Sequence, residues 1–493
     1  MKNVSEKHAL NIKTAPVWVL LDQIFGRVFR IAVSVVLARI LIPDDFGIYA
    51  LSLSLLELSR LTGNLGIGTA IVQILDIDDE FLHSAFWLNL SASVFMLFNS
   101  VLIGFLGAHF LHVPALKQTV PVLGLTFLSA GYIHVNQSLL VRDLYFKYIT
   151  QASVLRVIAE GSLSIVLALF GFGYWAFILG FTFGDFINSL VLYRLSEWRP
   201  RFKPQFRYPK RYLKFGLNIF LFSLATYLLE QLPNLIIGKV ATVYILGLFT
   251  FALRQSKWIA DVPKMAGKNF LLSALSRVQN LRREFQNYYL LWIRFILVWV
   301  GPIFVLQIAL APYYVPFIFG AKWVPAVQGL QLLVIYMFLD VAFFEVHSEG
   351  IIAHGQVHRN VVWRFIEAGI VATVLFLVSS KGVTAIAVSM VFVRLFLLPL
   401  YIATTSKGMP VGLWRILRHE YLAVLYVLVF SGVTFYYVGT LENGVSLLLG
   451  GIYAVFIGSW IALGFVILPE TRKLIGEIAA RMIAKKSIQL EQI

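Results

Sequence analysis

The stretch from residue 16 to residue 39 reads PVWVLLDQIFGRVFRIAVSVVLAR. A helix of about 24 mostly apolar residues is long enough to cross a bilayer. A polar stripe interrupts the run at spacings of four, three and four, which place its members on one face of an α-helix. The stripe consists of Gln23, Arg27, Arg30 and Ser34. An arginine in mid-membrane costs about 2.5–3.5 kcal/mol on insertion scales. This face is therefore predicted to point at protein or water and away from lipid.

The next apolar run, residues 46–73, carries a second stripe. Glu57, Arg60 and Asn64 follow one another at spacings of three and four, which again place them on one helical face. Two neighbouring helices are thus predicted to direct cations and a carboxylate into a shared interior.

The composition of the 493 residues indicates a polytopic membrane protein. The chain is 59% hydrophobic and only 13% charged, with a mean hydropathy of +0.81, whereas soluble domains are about 45–50% apolar. The apolar runs are too long and too uniform for the roughly ten-residue alternating strands of a membrane β-barrel. They predict an all-α fold of about fourteen transmembrane helices. The predicted spans are 16–39, 46–73, 83–111, 117–139, 146–170, 173–194, 212–237, 243–266, 286–310, 325–346, 357–379, 382–404, 420–438 and 445–468.

The net charge of +16 is distributed in a way that indicates membrane orientation and not nucleic-acid binding. Lysine and arginine cluster at alternate connections, the positive-inside pattern. The connection from Arg194 to Lys214 is the richest in cations and is predicted to be cytoplasmic. The same pattern predicts that both termini are cytoplasmic.

Several kinds of chemistry find no support in the sequence. There is no cysteine, and no phosphate-binding loop of the Walker type, so no disulfide and no direct use of ATP is predicted. His354 and His358 are four residues apart, but no third ligand is near, so neither a metal site nor a cofactor is predicted. The first helix has no cleavage signal and is expected to be retained.

The chain repeats itself when it is shifted by 200 residues. Ala38-Arg39-Ile40 then overlies Gly238-Lys239-Val240, and the FGIY segment at 46–49 overlies the LGLF segment at 246–249. The repeat predicts two parallel six-helix lobes. We expect an N-terminal lobe at 1–200, a C-terminal lobe at 201–410, two extra helices at 411–469 and an amphipathic cytoplasmic tail at 470–493.

The second lobe also repeats the polar stripes at spacings of three and four. Its first helix carries Ser223, Tyr227, Glu230 and Asn234, and its second carries Arg254, Lys257, Asp261, Lys264 and Lys268.

Five segments carry a resemblance to a known family. They are VLARILIPDDFG (36–47), NLGIGTAIVQ (64–73), ALFGFGYWA (168–176), WRP (198–200) and PFIFGAKW (316–323). The chain resembles a Wzx-type polysaccharide flippase, in the polysaccharide transporter branch of the multidrug/oligosaccharidyl-lipid/polysaccharide superfamily. The resemblance implies two bundles of six helices plus two further helices. It also implies outward movement of a polyprenyl-pyrophosphate-linked oligosaccharide across a bacterial inner membrane, with membrane lipids, and the polymerase and export machinery, as candidate partners.

A cavity that accepts a pyrophosphate needs arginines or lysines. The stripes offer Arg27, Arg30, Arg60, Arg254 and Lys257 as substrate-binding candidates. Glu57 and Glu230 are candidates for ion coupling, because a carboxylate inside the membrane can take up and release a proton.

Two other functions remain open. A drug or cation exporter of the same superfamily would need a net acidic cavity, whereas the stripes contain more cations than acids. A membrane-bound glycan polymerase or ligase would need a sizeable outer loop to carry its catalytic groups, and every outer connection here is short.

Overall fold

The computed structural model describes residues 2–63, 68, 71–72, 77–200, 223–406 and 409–439. The described residues are mostly helical, and no β-strand occurs among them. The predicted span 445–468 and the predicted tail 470–493 lie outside the described residues, as does Asn64 of the second stripe.

Sixteen α-helices of the described chain are numbered here in chain order. They are α1 (Lys2–Ile40), α2 (Pro43–Leu61), α3 (Asp79–Leu111), α4 (Leu116–Arg142), α5 (Phe146–Leu169), α6 (Trp175–Leu195), α7 (Leu232–Val240), α8 (Val243–Ala266), α9 (Leu272–Arg277), α10 (Arg282–Phe295), α11 (Gly301–Tyr314), α12 (Val327–Leu339), α13 (Val346–Ala353), α14 (Val357–Val378), α15 (Val383–Thr405) and α16 (Leu413–Gly439). Residues 223–230, directly before α7, are also helical.

Eight helices of the described chain are long and apolar enough to cross a membrane. They are Asp79–Leu111, Phe146–Leu169, Trp175–Leu195, Arg282–Phe319, Ala321–Ala353, Val357–Lys381, Val383–Thr405 and Trp414–Thr434. The prediction of a helical membrane protein is therefore confirmed for the described residues. The helices α1, α2, α4 and α8 are not among the eight, and three of them, α1, α2 and α8, carry the charged stripes.

Two of the eight helices are longer than the predicted spans 286–310 and 325–346. The first continues to Phe319 through two prolines, Pro312 and Pro316, because its last turn widens into a π-helix at Val315–Phe319. The second contains a π-helical turn at Asp340–Glu345. Helices end where glycine adopts a left-handed conformation, as at Gly320 (φ 102°) and Gly382 (φ 98°), because no Cβ opposes this backbone shape.

The chain forms two compact units. Among the described residues, the first comprises those within 1–251, 317–323 and 372–383, and the second comprises those within 252–316, 324–371 and 384–439. The lobe boundaries drawn from the repeat remain a prediction.

Small residues let the helices of the first unit approach closely. A Cβ added to Gly131 of α4 would lie 2.1 Å from Ser93 Oγ of α3, and one added to Gly180 of α6 would lie 1.9 Å from Ser164 Oγ of α5. In a bilayer, where apolar contact alone gives helices little reason to associate, such small-residue contacts hold helices together.

The link between α1 and α2 is held by an acid of the first resemblance segment. The backbone N–H of Ile42 donates to Asp45 Oδ2 at 3.1 Å, and Asp45 is buried in the first turn of α2. The aspartate therefore fixes the start of α2 by satisfying a backbone donor that the helix itself leaves free.

Candidate substrate cavity

The predicted stripe of the first span lies on one continuous helix, α1. Arg27 is half-buried and Arg30 is exposed. The Arg30 guanidinium lies against Gly26 one turn earlier, where an added Cβ would come within 3.1 Å of Nη2. In the part of the chain that the structure describes, neither arginine forms an ion pair. Both charges therefore remain open to an anionic ligand.

A cavity of about 420 Å³ in the first unit joins the stripe of α2 to that of residues 223–231. Seven of its eight lining residues are polar or charged and the eighth is a leucine: Glu57, Arg60, Leu61, Ser223, Thr226, Tyr227, Glu230 and Gln231. The volume falls within the range of small-molecule sites, about 300–1,000 Å³. Three of the seven predicted site residues thus share one cavity, whereas Arg27 and Arg30 are not among its lining residues.

The charges in this cavity do not sum to a cationic site. Arg60 Nη1 lies 3.2 Å from Glu57 Oε1, one helical turn away. The two side chains are 47% and 34% exposed, so the pair contributes little to stability. The Arg60 guanidinium also lies 5.9 Å from the centre of the Phe127 ring. With Glu230 added, the cavity carries two carboxylates and one guanidinium.

Neutral polar groups next to the cavity join α2 to α7. Ser54 Oγ donates to Gln231 Oε1 at 2.9 Å and accepts from Asn234 Nδ2 at 3.1 Å. Tyr227 is buried, and its hydroxyl has no hydrogen-bond partner among the described residues. A buried hydroxyl without a partner is costly, which makes Tyr227 a candidate contact for a polar ligand.

The two remaining predicted site residues lie in α8, within the second unit. Arg254 is exposed and Lys257 is half-buried. Neither forms an ion pair in the described part of the chain.

A buried charge cluster in the second unit was not recognised from the sequence. Lys264 of α8 and Arg394 of α15 both pair with Asp340, and Arg394 also pairs with Glu367 of α14. Arg394 Nη2 lies 2.5 Å from Asp340 Oδ1. The available signal was the position of Asp340 and Arg394 inside apolar spans, because a charge there is expected to have a partner.

No group of three or more potential metal ligands occurs among the described residues. The His354 ring packs edge-on against Phe285, with the ring centres 4.4 Å apart. This contact gives His354 a packing role in the second unit.

Comparison with known proteins identifies the family. Residues 36–328, more than half of the chain, match the family described as polysaccharide biosynthesis protein. The match includes all five resemblance segments, since they begin at or after Val36 and end by Trp323.

Two curated relatives extend the comparison. The succinoglycan biosynthesis transport protein ExoT of Rhizobium meliloti is 24% identical over 298 residues, which is 60% of this chain and 60% of that protein. The lipopolysaccharide biosynthesis protein WzxC of Escherichia coli is 25% identical over 313 residues, 60% of this chain and 61% of that protein. The chain is thus matched over about 60% of the length of these relatives.

Two solved structures share the fold. The lipid II flippase MurJ in an inward closed conformation superposes with a TM-score of 0.67 at 13% identity, over 93% of this chain and 99% of that one. An inward-facing multidrug resistance MATE family transporter of the MOP superfamily gives 0.56 at 14% identity, over 80% and 98%. At such identities the likeness concerns the fold alone. Taken with the family match, these findings confirm the resemblance: the chain belongs to the polysaccharide biosynthesis protein family.

Proposed function

We propose that this protein is a flippase that moves polyprenyl-pyrophosphate-linked oligosaccharide repeat units from the cytoplasmic to the outer face of a bacterial inner membrane. The product would feed synthesis of an exopolysaccharide, capsule or O-antigen. The observation that carries the proposal is the polar cavity between α2 and residues 223–231, in a chain with eight described helices that are long and apolar enough to cross a membrane. The names of ExoT and MurJ, a biosynthesis transport protein and a lipid II flippase, support it.

The proposed substrate explains why such a protein needs a polar interior. The polyprenyl tail can stay in the lipid, whereas the sugars and the pyrophosphate cannot cross the hydrocarbon without hydrogen-bond and charge partners. Hydroxyl and amide groups in the cavity can donate hydrogen bonds to sugar hydroxyls and accept hydrogen bonds from them, and carboxylates can accept such bonds. The cavity described above provides all three.

We propose that Arg27 and Arg30 are the main pyrophosphate ligands. Both lie on one face of α1 without an ion pair among the described residues, and a guanidinium can bind phosphate oxygens through two parallel hydrogen bonds. Arg60 has a weaker case, because Glu57 already neutralises it. Arg254 and Lys257 complete the proposed set.

We propose that Glu57 and Glu230 couple transport to ion movement. Both line the same cavity, so gain or loss of one proton changes the formal charge of that cavity by one. Such a change alters the affinity of the cavity for an anion without any change in its shape. The transport cycle would then be alternating access of two six-helix lobes within about fourteen spans, with both termini cytoplasmic.

A drug or cation exporter is the second candidate, and one observation favours it. The cavity holds two carboxylates and one guanidinium, a balance suited to a cationic ligand. The family match and the curated relatives, ExoT and WzxC, favour the glycan substrate.

A deletion strain distinguishes the two candidates. Loss of a flippase should cause lipid-linked repeat units to accumulate on the cytoplasmic side, and the intact gene should reverse this. An exporter predicts no such accumulation and a rise in sensitivity to cationic drugs instead. Normal surface glycan in the deletion strain would contradict the proposed function.

A further inference from the structure

The first unit contains a reciprocal helix crossing that follows the 200-residue repeat. Pro43 and Val243 begin α2 and α8, and Gly47 and Gly247 lie one turn later. A Cβ added to Gly47 would lie 2.2 Å from the Val243 carbonyl oxygen, and one added to Gly247 would lie 1.8 Å from that of Pro43. Residue 43 thus touches 247 while 243 touches 47. Such an exchange is the mark of a two-fold relation between the two segments.

Two cations at equivalent positions of the repeat, Arg39 and Lys239, each donate a hydrogen bond to the end of another helix. Arg39, in the last turn of α1, donates to the carbonyl oxygens of Phe317 and Ile318. Lys239, in the last turn of α7, donates to the carbonyl oxygen of Phe110 at 2.5 Å. Phe110 and Phe317 both lie in the final turn of a long helix, Asp79–Leu111 and Arg282–Phe319.

The chemistry of these contacts favours a firm but reversible bond. The last carbonyls of a helix lack partners within the helix, and they lie at the negative end of its dipole. A lysine or arginine from another helix supplies both a hydrogen-bond donor for these carbonyls and a positive charge at the negative end of the dipole. The contact can also break without leaving an unpaired charge buried, since Arg39 is exposed and Lys239 is half-buried.

Lys239 also contacts His112 Nε2 at 3.3 Å and the Phe110 ring, whereas the Arg39 contact has two further hydrogen bonds to backbone carbonyls beside it. The Trp323 indole N–H donates to the Ala38 carbonyl at 2.9 Å, and Lys322 donates to that of Arg39 at the same distance. The Trp323 ring stacks on Phe251 with the ring centres 4.0 Å apart and is fully buried. The contact at Arg39 is therefore expected to open after the contact at Lys239.

We propose that Arg39 and Lys239, with the glycine crossing, form a clasp that holds the outer end of the transport pathway closed. The positive-inside prediction assigns the link between α1 and α2, and that between α7 and α8, to the outer face. The inference rests on the proposed function for its role in transport. Its test does not, because closure can be measured without any substrate. Arg39 and Lys239 are positioning residues in this account and do not bind the glycan.

The test uses the absence of cysteine from the sequence. Ser54 is fully buried at the contact between α2 and α7, and Ser54→Cys gives a single thiol that opening should expose. An impermeant maleimide is added outside intact cells, and the labelling rate is measured. Arg39→Gln and Lys239→Gln should each raise the rate about tenfold, which corresponds to about 1.4 kcal/mol, and the double variant should raise it further. Lys117→Gln is the matched control, because the Lys117 ammonium lies over the Phe105 ring and holds no part of the clasp.

A second experiment tests the glycine crossing while leaving Arg39 and Lys239 unchanged. Gly247→Ala should force the crossing apart and also raise labelling, whereas Gly432→Ala should not, because open space surrounds Gly432. Labelling in the Arg39→Gln, Lys239→Gln double variant equal to that of Lys117→Gln would overturn the proposal. Rapid labelling of the Ser54→Cys variant with no other change would overturn it too. If the double variant does not fold, Gly247→Ala decides.

Discussion

Replacement of Arg394 by methionine tests the buried charge cluster of the second unit. The side chains of Arg394, Asp340 and Glu367 are only 9 to 13% exposed. With Lys264 the cluster holds two cations and two anions, so its formal charge is zero. Methionine fills much of the space of the arginine stem but removes one positive charge, so that Asp340 and Glu367 lose the guanidinium that bonds both of them.

The expected cost follows from the contacts that are lost. Arg394 bonds Asp340 and Glu367, and hydrogen bonds to charged groups contribute about 1.5–3 kcal/mol each. Loss of both predicts a decrease of about 3–6 kcal/mol in the free energy of unfolding, which overlaps the range of about 3–5 kcal/mol for breaking a buried pair. A pair at the surface would cost less than about 1 kcal/mol.

A double-mutant cycle separates charge from packing. Glu367→Gln should restore neutrality in the Arg394→Met background and recover about 2 kcal/mol of the loss. The free energy of unfolding is measured by denaturant titration in detergent micelles. Arg277→Met is the control, because Arg277 is exposed and has no ion pair in the described chain. A loss below about 1 kcal/mol for Arg394→Met, or no recovery in the double variant, would refute the reasoning.

Three further predictions concern transport and topology. Arg27→Lys keeps the charge of Arg27 but loses the bidentate fork, so it should be partly active in glycan export, whereas Arg27→Ala should be inactive; equal activities would contradict a phosphate contact. Glu57→Gln or Glu230→Gln should change the rate of export or its pH dependence, and unchanged profiles in both variants would remove the carboxylates from the coupling mechanism. Ser196→Cys should resist an impermeant thiol reagent added outside intact cells, and rapid labelling would reverse the predicted topology.

The sequence predicted the helices well because the signal is local. Hydropathy and polar spacing placed the spans near 146–170 and 382–404 within one residue of the observed α5 and α15. The end of the span predicted to stop at residue 310 was wrong, although prolines such as those at 312 and 316 usually stop a helix. A π-helical turn, which no local pattern indicated, carries that helix to Phe319.

The candidate site was only partly predictable. The spacing of polar residues within one helix does not show which residues of other helices lie next to them. Spacing placed Glu57 and Arg60 on one face, and the structure adds that they neutralise each other. Spacing alone could not show that Glu230 shares their cavity, nor that Tyr227 has a buried hydroxyl there. The cluster around Asp340 joins α8, α14 and α15 with the π-helical turn at Asp340–Glu345, and such long-range pairing needs three-dimensional coordinates.

Flipping by the purified protein in vesicles is the most direct measurement of the proposed flippase activity. The protein is reconstituted with a fluorescent polyprenyl-pyrophosphate oligosaccharide, and the fraction of glycan reachable by an external glycosidase is followed with time. Glycan placed on the inner leaflet should become reachable with the intact protein, and not with the Arg27→Ala, Arg30→Ala double variant. The double variant should keep its fold, as judged by an unchanged unfolding curve. Exposure of the glycan at the same rate in vesicles without protein would contradict the flippase function, and full activity of the double variant would contradict pyrophosphate binding by Arg27 and Arg30.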